Sequence, residues 1–422
     1  MFKISEVRID DFWHRLNAKC GFNEDVNIII GRNGTGKTTF MNILHSALTV
    51  DLDGLAENDF SEILIKLKSG TKNRVVRVTK LTHESAAFHT IEYKISSSKY
   101  ILRAISADDV RYPTNFKKRM LESASEVKNH LSKIISLSSL SVYRLKSTED
   151  FEIKDRSGKR LISPVDFRLM QLRGDLTKYQ FDLSVEARQI SSNLQKDVLT
   201  SILFTDPSST SQIIPSKFDK EKEQSQLVGA YARLGAIDTE VRRKIARHIV
   251  AIDTAVKLLA SNRHEGLSEK DFAAVEAYFR TQKIVSMSLK AEEHTKEIFS
   301  PIDLFTSILK DFIPDKIFGI YAGELKVLFA TPEREEIPIS KLSSGEKQLI
   351  ILLAEALLQR GEHYVYLADE PELSLHIEWQ RKILPAIKQL NPNSQIIAAT
   401  HSPEVASKYR SHIIDMKDVV NG

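Results

Sequence analysis

The sequence predicts an α/β protein interrupted by a long helical segment. Three observations carry that prediction. A β-branched apolar run, Val26–Ile30, leads into a glycine-rich turn and then a helical pattern, Phe40 to Leu48. The last hundred or so residues alternate helix, buried strand, helix and buried strand. Between the two, apolar residues recur at a helical period for well over a hundred positions.

The turn after the first buried strand reads Gly31-Arg32-Asn33-Gly34-Thr35-Gly36-Lys37-Thr38-Thr39. This is G-x-x-x-x-G-K-[ST] in the strand–loop–helix setting the motif requires. Glycines let the backbone bend so that several N–H groups point inward at an anion. The following helix adds the positive end of its dipole. Lys37 supplies a point charge for outer phosphates, and the Thr38 hydroxyl can ligate Mg²⁺. Residues Arg32 to Thr39 are therefore the first candidate nucleotide contacts.

Composition bounds the rest. The chain has 422 residues, 42% hydrophobic and 27% charged, enough for an ample core and two or three domains. A net charge of +4 is too weak by itself to argue for nucleic acid. The single cysteine, Cys20, excludes an internal disulfide framework and fits a reducing compartment. No apolar run approaches the ~18 residues of a membrane span, and the N-terminus has no signal-peptide core. A cytoplasmic protein with no membrane partner is expected.

Taken in order, Phe2, Ile4, Val7 and Ile9 mark a first strand and Leu16 to Phe22 a second. Ile63 to Leu67, Arg74 to Leu81 and Ile91 to Ile95 read as further strands of an antiparallel sheet. Leu131 to Leu145 is expected to carry another strand of this lobe. From Leu169 to Ile202 the apolar positions step by about 3.7 residues, a long amphipathic helix. Leu227 to Leu259 steps nearer the 3.5 of a coiled coil. A third helical stretch runs from about Ser268 to Phe299. The expected division is 1–150, an ATPase-type lobe; 151–310, a helical or coiled-coil insertion; and 311–422, a second lobe. The insertion reads equally as an antiparallel hairpin, a dimerising arm or a helical subdomain packed on the core.

The last quarter carries three more motifs. Leu342-Ser343-Ser344-Gly345-Glu346 opens an apolar helix, with Ser343 and Glu346 spaced as a capping box. Such a capped end also offers free N–H groups to an anion. Tyr364 to Ala368 is an apolar strand ending in Asp369-Glu370. Asp369 suits Mg²⁺, and Glu370 can polarise an attacking water. Ile396 to Thr400 is another buried strand, ending at His401, which can reach a γ-phosphate or the water.

Together these motifs resemble an ABC-type ATPase of the class that includes SMC and RecF proteins: Walker A, long insertion, LSSGE signature, Walker B with Asp-Glu, and switch histidine. The resemblance implies an ATPase head of that fold using ATP and Mg²⁺, with Thr38 and Asp369 at the metal. It implies Lys37, Glu370 and His401 as catalytic residues, Glu370 being the base and His401 the γ-phosphate sensor. It implies homodimers, or higher oligomers, in which Ser343, Ser344, Gly345 and Glu346 of one head close on ATP held by the other. Glu372 to His376 would be the D-loop at that interface.

Within the class, Asp-Glu-Pro-Glu-x-x-Leu-His and Ala-Thr-His-Ser-Pro are similar to the ATPase half of overcoming-lysogenization-defect (OLD) nucleases. They are similar too to ATPase subunits of the bacterial anti-phage systems PARIS (AriA) and Septu (PtuA). The chain runs only about twenty residues beyond His401, so a nuclease is expected as a separate partner. The resemblance implies a sensor or scaffold that controls such an effector when it meets a DNA or phage-protein trigger. The alternative is a RecF- or SMC-like repair or DNA-clamping ATPase. No glutamine near Leu140–Arg144 matches a Q-loop; Phe12 and Trp13 are candidates for adenine stacking. Lys66, Lys68, Lys72, Arg74, Arg77 and Lys80 cluster on one expected hairpin, with Lys117–Arg119 and Arg242–Lys244 as further basic groups.

Overall fold

A computed structural model describes residues 1–81, 89–104, 114–139, 151–155, 158–201, 218–260, 268–321 and 323–421. The chain divides into two compact units, one of Met1–Thr177 with Leu304–Gly422, the other Lys178–Asp303.

The first unit opens with β1 (Lys3–Phe12) and β2 (Leu16–Gly21), then β3 (Val26–Ile30), which runs into the glycine loop and α1 (Lys37–Thr49). After α2 (Leu52–Glu57) come β4 (Glu62–Ser69), β5 (Lys72–Leu81), β6 (His89–Ile95) and β7 (Ser98–Ala104). α3 (Thr114–Ser132) leads to β8 (Leu137–Ser139), and β9 (Phe151–Asp155) with β10 (Gly158–Ile162) forms a hairpin. The long helices α4 (Pro164–Ser201), α5 (Lys220–Arg233), α6 (Thr239–Ala260) and α7 (Glu269–Phe312) follow. A hairpin of β11 (Lys316–Tyr321) and β12 (Glu324–Phe329) precedes α8 (Ser344–Leu358), β13 (Val365–Asp369), α9 (Ile377–Leu390) and β14 (Gln395–Ala399). β15 (Ile413–Asp415) and β16 (Val420–Asn421) end the described chain.

Two sheets share one core. The parallel sheet has the order β15-β3-β14-β13-β8, and the mainly antiparallel sheet the order β16-β2-β1-β4-β5-β6-β7. Parallel strands buried on both faces read as continuous apolar runs, which is why Val26–Ile30 and Gln395–Ala399 show no alternation. β4 alternates instead, with Ile63, Ile65 and Leu67 inward. α1 lies between the sheets: Phe40, Ile43 and Leu44 join one cluster with Ile9, Ile65 and Val78 from one sheet and Ile29 and Ile397 from the other. The buried Tyr93 hydroxyl donates to Ala47 O on α1 (3.1 Å).

Several strands match the expected ranges, and three expectations are corrected. The segment around Leu131–Leu145 supplies β8 to the parallel sheet, beside β13, rather than to the antiparallel lobe. Residues 140–144, the expected end of the first lobe, lie outside the described residues. The Leu227–Leu259 run is two helices, not one, because the chain turns at Gly235 and Asp238 caps the next helix by accepting the Val241 N–H (2.7 Å). The helix expected to end near Phe299 continues through Pro301 to Phe312, where Phe305, Leu309 and Phe312 are buried.

The second unit has its own small core of Leu227, Ala230, Ile245, Ile249 and Val285. Asp253 there accepts ion pairs from Lys220 (2.7 Å) and Lys257 (2.8 Å). Among the described residues no helix is long and apolar enough to cross a membrane.

In the first unit one side chain ties the two sheets at the start of the chain. Gln395 is fully buried. Its Oε1 accepts the Ile4 N–H (2.8 Å), and its Nε2 donates to Ile4 O (2.7 Å) and Asn23 O (2.7 Å). It therefore imitates a strand partner for β1. Gln395→Leu removes the side-chain partner of the buried Ile4 N–H and Ile4 O, so an unfolding-free-energy loss of about 2–3 kcal/mol is expected. Urea unfolding of both variants checks this; the exposed control Gln389→Ala should stay within about 0.5 kcal/mol of the parent.

Candidate active site

The parallel register brings the carboxyl ends of three strands level: Ile29 pairs with Ala399, and Ala399 with Asp369. Each strand then releases its loop at the same edge, where open α/β sheets bind ligands. The glycine loop follows β3, Asp369-Glu370 ends β13, and Thr400-His401 follows β14.

The loops line a cleft of about 450 Å³, formed by Trp13, Asn33, Gly34, Gly36, Lys37, Thr38, Thr39, Glu370 and His401. Arg32 and Thr35 do not line it. Arg32 instead faces a neighbouring cavity of about 980 Å³ beyond His401, and the Thr35 hydroxyl is spent on Arg32 O (2.9 Å), closing the turn.

Gly36 cannot be another residue here. Its φ is +92°, and a Cβ would lie 2.7–2.8 Å from the Phe12 ring and 3.2 Å from Trp13. Gly36 is also the residue before α1 and offers no side-chain cap, so the first N–H groups of α1 are left for a ligand. Phe12 is fully buried and carries Trp13, the rings stacked at 4.9 Å and 23°. Of the two aromatic candidates, only Trp13 reaches the cleft.

Lys37 is only 5% exposed, and its Nζ donates to Gly31 O (2.9 Å) and Arg32 O (3.2 Å). Burial pulls its ammonium below the usual lysine range, opposed by the Glu370 and Asp369 carboxylates. The Thr38 hydroxyl and Asp369 Oδ1 stand 3.5 Å apart. Two hard oxygens so placed suit Mg²⁺, which takes one or two protein oxygens plus substrate phosphates. Among the described residues no group of three or more His, Cys, Asp or Glu forms a dedicated metal cage.

Glu370 is held in the left-handed region, φ +52°, with its N–H donated to Ala399 O (2.8 Å). That kink turns it out of the β13 direction. Its Oε1 lies 3.8 Å from His401 Nε2. The sequence places Glu372 at the start of a D-loop expected at the dimer interface, with no role inside the cleft. The structure buries it, with Oε1 accepting from the Thr400 hydroxyl and from the N–H groups of His401 (3.2 Å) and Ser402 (3.3 Å). The available signal was a second acid two residues past Glu370, in a turn otherwise built of Pro, Leu and Ser.

The Ser343–Glu346 segment stands apart from this cleft: none of its residues lines it. The capping box is formed, with Ser343 Oγ accepting Glu346 N–H (3.2 Å) and Glu346 Oε2 accepting Ser343 N–H (2.8 Å). Glu346 Oε1 also takes Lys316 Nζ (2.7 Å). Burial would raise the Glu346 carboxyl, but Lys316 and Ser343 hold it below the usual range. Glu346 is thus committed to its own helix end, while Ser343 and Ser344 are exposed. A Cβ on Gly345 would meet Ser374 O at 2.6 Å, so the turn after Glu370 packs directly on this helix start.

The basic hairpin is less uniform than its sequence. Lys66 pairs with Glu6 (2.8 Å) and Arg77 with Glu62 (3.5 Å). Lys80 shares the inward register of Val76 and Val78, donates to Ala56 O (3.2 Å) and Asn58 O, and sits 4.7 Å over Phe60. Lys68, Lys72 and Arg74 remain exposed. Lys117–Arg119 fall in α3, with side chains outside the described set, and Lys244 pairs with Glu240 (2.7 Å).

Comparison with known proteins adds the family. Residues 26–407 match the family described as "AAA domain, putative AbiEii toxin, Type IV TA system". The chain is similar to the "Retron Vc95 probable ATPase" of Vibrio cholerae, 22% identical over 407 residues, covering 93% of this chain and 68% of that protein. It is 26% identical over 175 residues to the "Retron Ec83 probable ATPase" of Escherichia coli, covering 38% of this chain and 30% of that one. Septu protein PtuA of Bacillus thuringiensis is 36% identical over 84 residues, covering 17% and 21%. The chain thus spans about two thirds of the Vibrio relative and under a third of the other two. Among solved structures, the Smc head domain of Pyrococcus furiosus, described with an extended coiled coil and bound to the C-terminal domain of ScpA, aligns with a TM-score of 0.42 at 13% identity, covering 98% of this chain and 93% of that one. With the match covering most of its length, the chain belongs to this family of AAA domains and is an ATPase.

Proposed function

We propose that the cleft binds ATP, that hydrolysis requires two heads, and that the assembly acts as a sensor or scaffold controlling a separate effector, a nuclease, in anti-phage defence. The observation that carries the two-head reading is the division of the motifs. Lys37, Glu370 and His401 share one cleft, whereas Ser343–Glu346 lie outside it with both serines exposed. A phosphate clamp completed by those serines is supplied by a second copy. The defence assignment rests on the retron and Septu names of the relatives and on the motif resemblance. The long helices α4 to α7 of the expected insertion of 151–310 serve assembly.

In this reading the N–H groups of the loop and of the first turn of α1 take the phosphates, joined by the Lys37 ammonium. Trp13 offers its face to the adenine, stiffened from below by Phe12. Thr38 and Asp369 would hold Mg²⁺, which would supply charge neutralisation on the outer phosphates. Glu370 accepts the proton of the attacking water. His401 hydrogen-bonds the γ-phosphate and keeps Glu370 beside it. Ser343 and Ser344 of the second head, with the free N–H groups of its α8, face the same phosphate and exclude water from it.

Three outcomes test this reading. Lys37→Ala should weaken ATP binding at least about tenfold by fluorescence titration, since a desolvated point charge is lost from the phosphates; unchanged affinity removes the cleft from the account. Glu370→Gln should slow ATP hydrolysis by about 10²–10⁴-fold while ATP stays bound and a closed oligomer accumulates in native mass spectra; parental turnover rejects it as the base. Ser344→Arg should abolish ATP-dependent association with ATP binding intact, and association that survives it ends the two-head model. A pull-down of Glu370→Gln with ATP from the native host reads the effector: a stoichiometric nuclease supports control of a partner, and DNA alone favours a clamping ATPase.

A further inference from the structure

We infer that Glu372 is a positioning residue for ATP hydrolysis: by gripping Thr400, His401 and Ser402 with one carboxyl oxygen, it fixes where the His401 imidazole stands against Glu370. The inference rests on the proposed role of His401 at the γ-phosphate.

The His401 ring has little to hold it directly. Glu370 stands beside it at 3.8 Å, too far for a hydrogen bond, and the imidazole is 39% exposed. Its position is therefore set by its backbone, and that backbone is held from one point. Glu372 Oε1 accepts from the Thr400 hydroxyl, the His401 N–H and the Ser402 N–H, pinning three consecutive residues. The Thr400 hydroxyl in turn accepts the Ser402 N–H (2.8 Å), which closes the loop on itself beside Glu372. Thr400 is fully buried and Glu372 is 8% exposed, so water cannot replace these bonds cheaply. Beyond Ser402 the loop is fastened by Ser402 Oγ to Gln380 Oε1 (2.7 Å), and Gln380 Nε2 donates to Leu375 O (3.0 Å).

The charge distribution on Glu372 is lopsided. Oε1 takes three donors, while Oε2 is buried with no hydrogen-bond partner among the described residues. A glutamine placed there keeps an amide oxygen for the three donors and puts its NH₂ where Oε2 stands. An alanine leaves the His401 N–H and the Thr400 hydroxyl without this acceptor, and the Ser402 N–H with Thr400 Oγ1 alone. The two substitutions therefore separate the grip from mere occupancy of the turn.

Steady-state ATP hydrolysis and ATP affinity of the full chain test the inference in five variants: Glu372→Ala, Glu372→Gln, Glu372→Asp, His401→Ala and the Glu372→Ala/His401→Ala double. Glu372→Ala should lower kcat by about 10- to 100-fold. Its ATP affinity should stay within about twofold of the parent. Glu372→Gln should recover kcat to within a few-fold of the parent. The double variant should be no slower than His401→Ala, because residues acting through one another are not additive. Losses that multiply in the double variant, or parental kcat in Glu372→Ala, overturn the inference. Where Glu372→Ala does not fold, Glu372→Asp, which withdraws the oxygen by one methylene, carries the same comparison in the His401→Ala background. Parental kcat in His401→Ala would instead overturn the role of His401 itself, and this inference with it; a slow His401→Ala with multiplicative losses overturns only the role of Glu372.

Discussion

Everything at this site depends on three buried parallel strands ending at one level. Ile29, Ala399 and Asp369 are register partners, and the loops they release have nowhere to go but the same edge. The strands can hold that register because both faces are covered. On one side α1 packs against them and against the antiparallel sheet, so the helix that follows the glycine loop is itself part of the core. Sliding β13 by one residue against β14 would turn Asp369 and Glu370 to opposite faces, since side chains alternate with period two. The chemistry therefore inherits its precision from packing that never touches a ligand.

One short turn then couples three separate elements. Glu370 leaves the end of β13 in a left-handed conformation. Two residues on, Glu372 reaches back to the loop after β14. Two further on, Ser374 lies against Gly345 at the start of α8. A β-strand end, a switch loop and an exposed helix start thus meet through five residues. Left-handed conformations at Glu370 and Ser374 cost free energy and persist only where surrounding contacts determine them. Here those contacts are the Ala399 carbonyl, the Thr400–Ser402 backbone and Gly345.

Much of this was legible in the sequence where local chemistry and fold agree. The glycine loop sits between a β-branched run and an amphipathic helix, and the structure builds that strand, loop and helix. The capping box at Ser343 and Glu346 needs only a three-residue spacing, and it forms as read. Arg32 and Thr35 fall inside the motif, yet the turn uses the Thr35 hydroxyl internally and Arg32 lines the neighbouring cavity, so their backbone N–H groups are what they offer a ligand in the cleft. Spacing cannot tell a residue that faces a cleft from one that closes the loop around it. Long-range partners were less legible still. Nothing local in Gln395 signals that it will pair with Ile4, 391 positions away in sequence, nor in Lys80 that its hairpin face turns inward to the carbonyls of Ala56 and Asn58.

The signature helix start shows why a motif can be well formed and still incomplete. Its acid has two claims on it: the Ser343 N–H at its own helix end and the Lys316 ammonium. With Lys316 and Glu346 each only 13% exposed at the side chain, that pair fixes the helix rather than recruiting a ligand. What remains outward are two hydroxyls and the free N–H groups of a helix first turn, all donors or rotatable donors and no fixed negative charge. Gly345 cannot acquire a side chain to reach further, because Ser374 O already fills the space. In the proposed two-head arrangement such an end would come to a phosphate at Lys37 from a second copy, and association, rather than a side-chain rearrangement, would be the step on which hydrolysis waits.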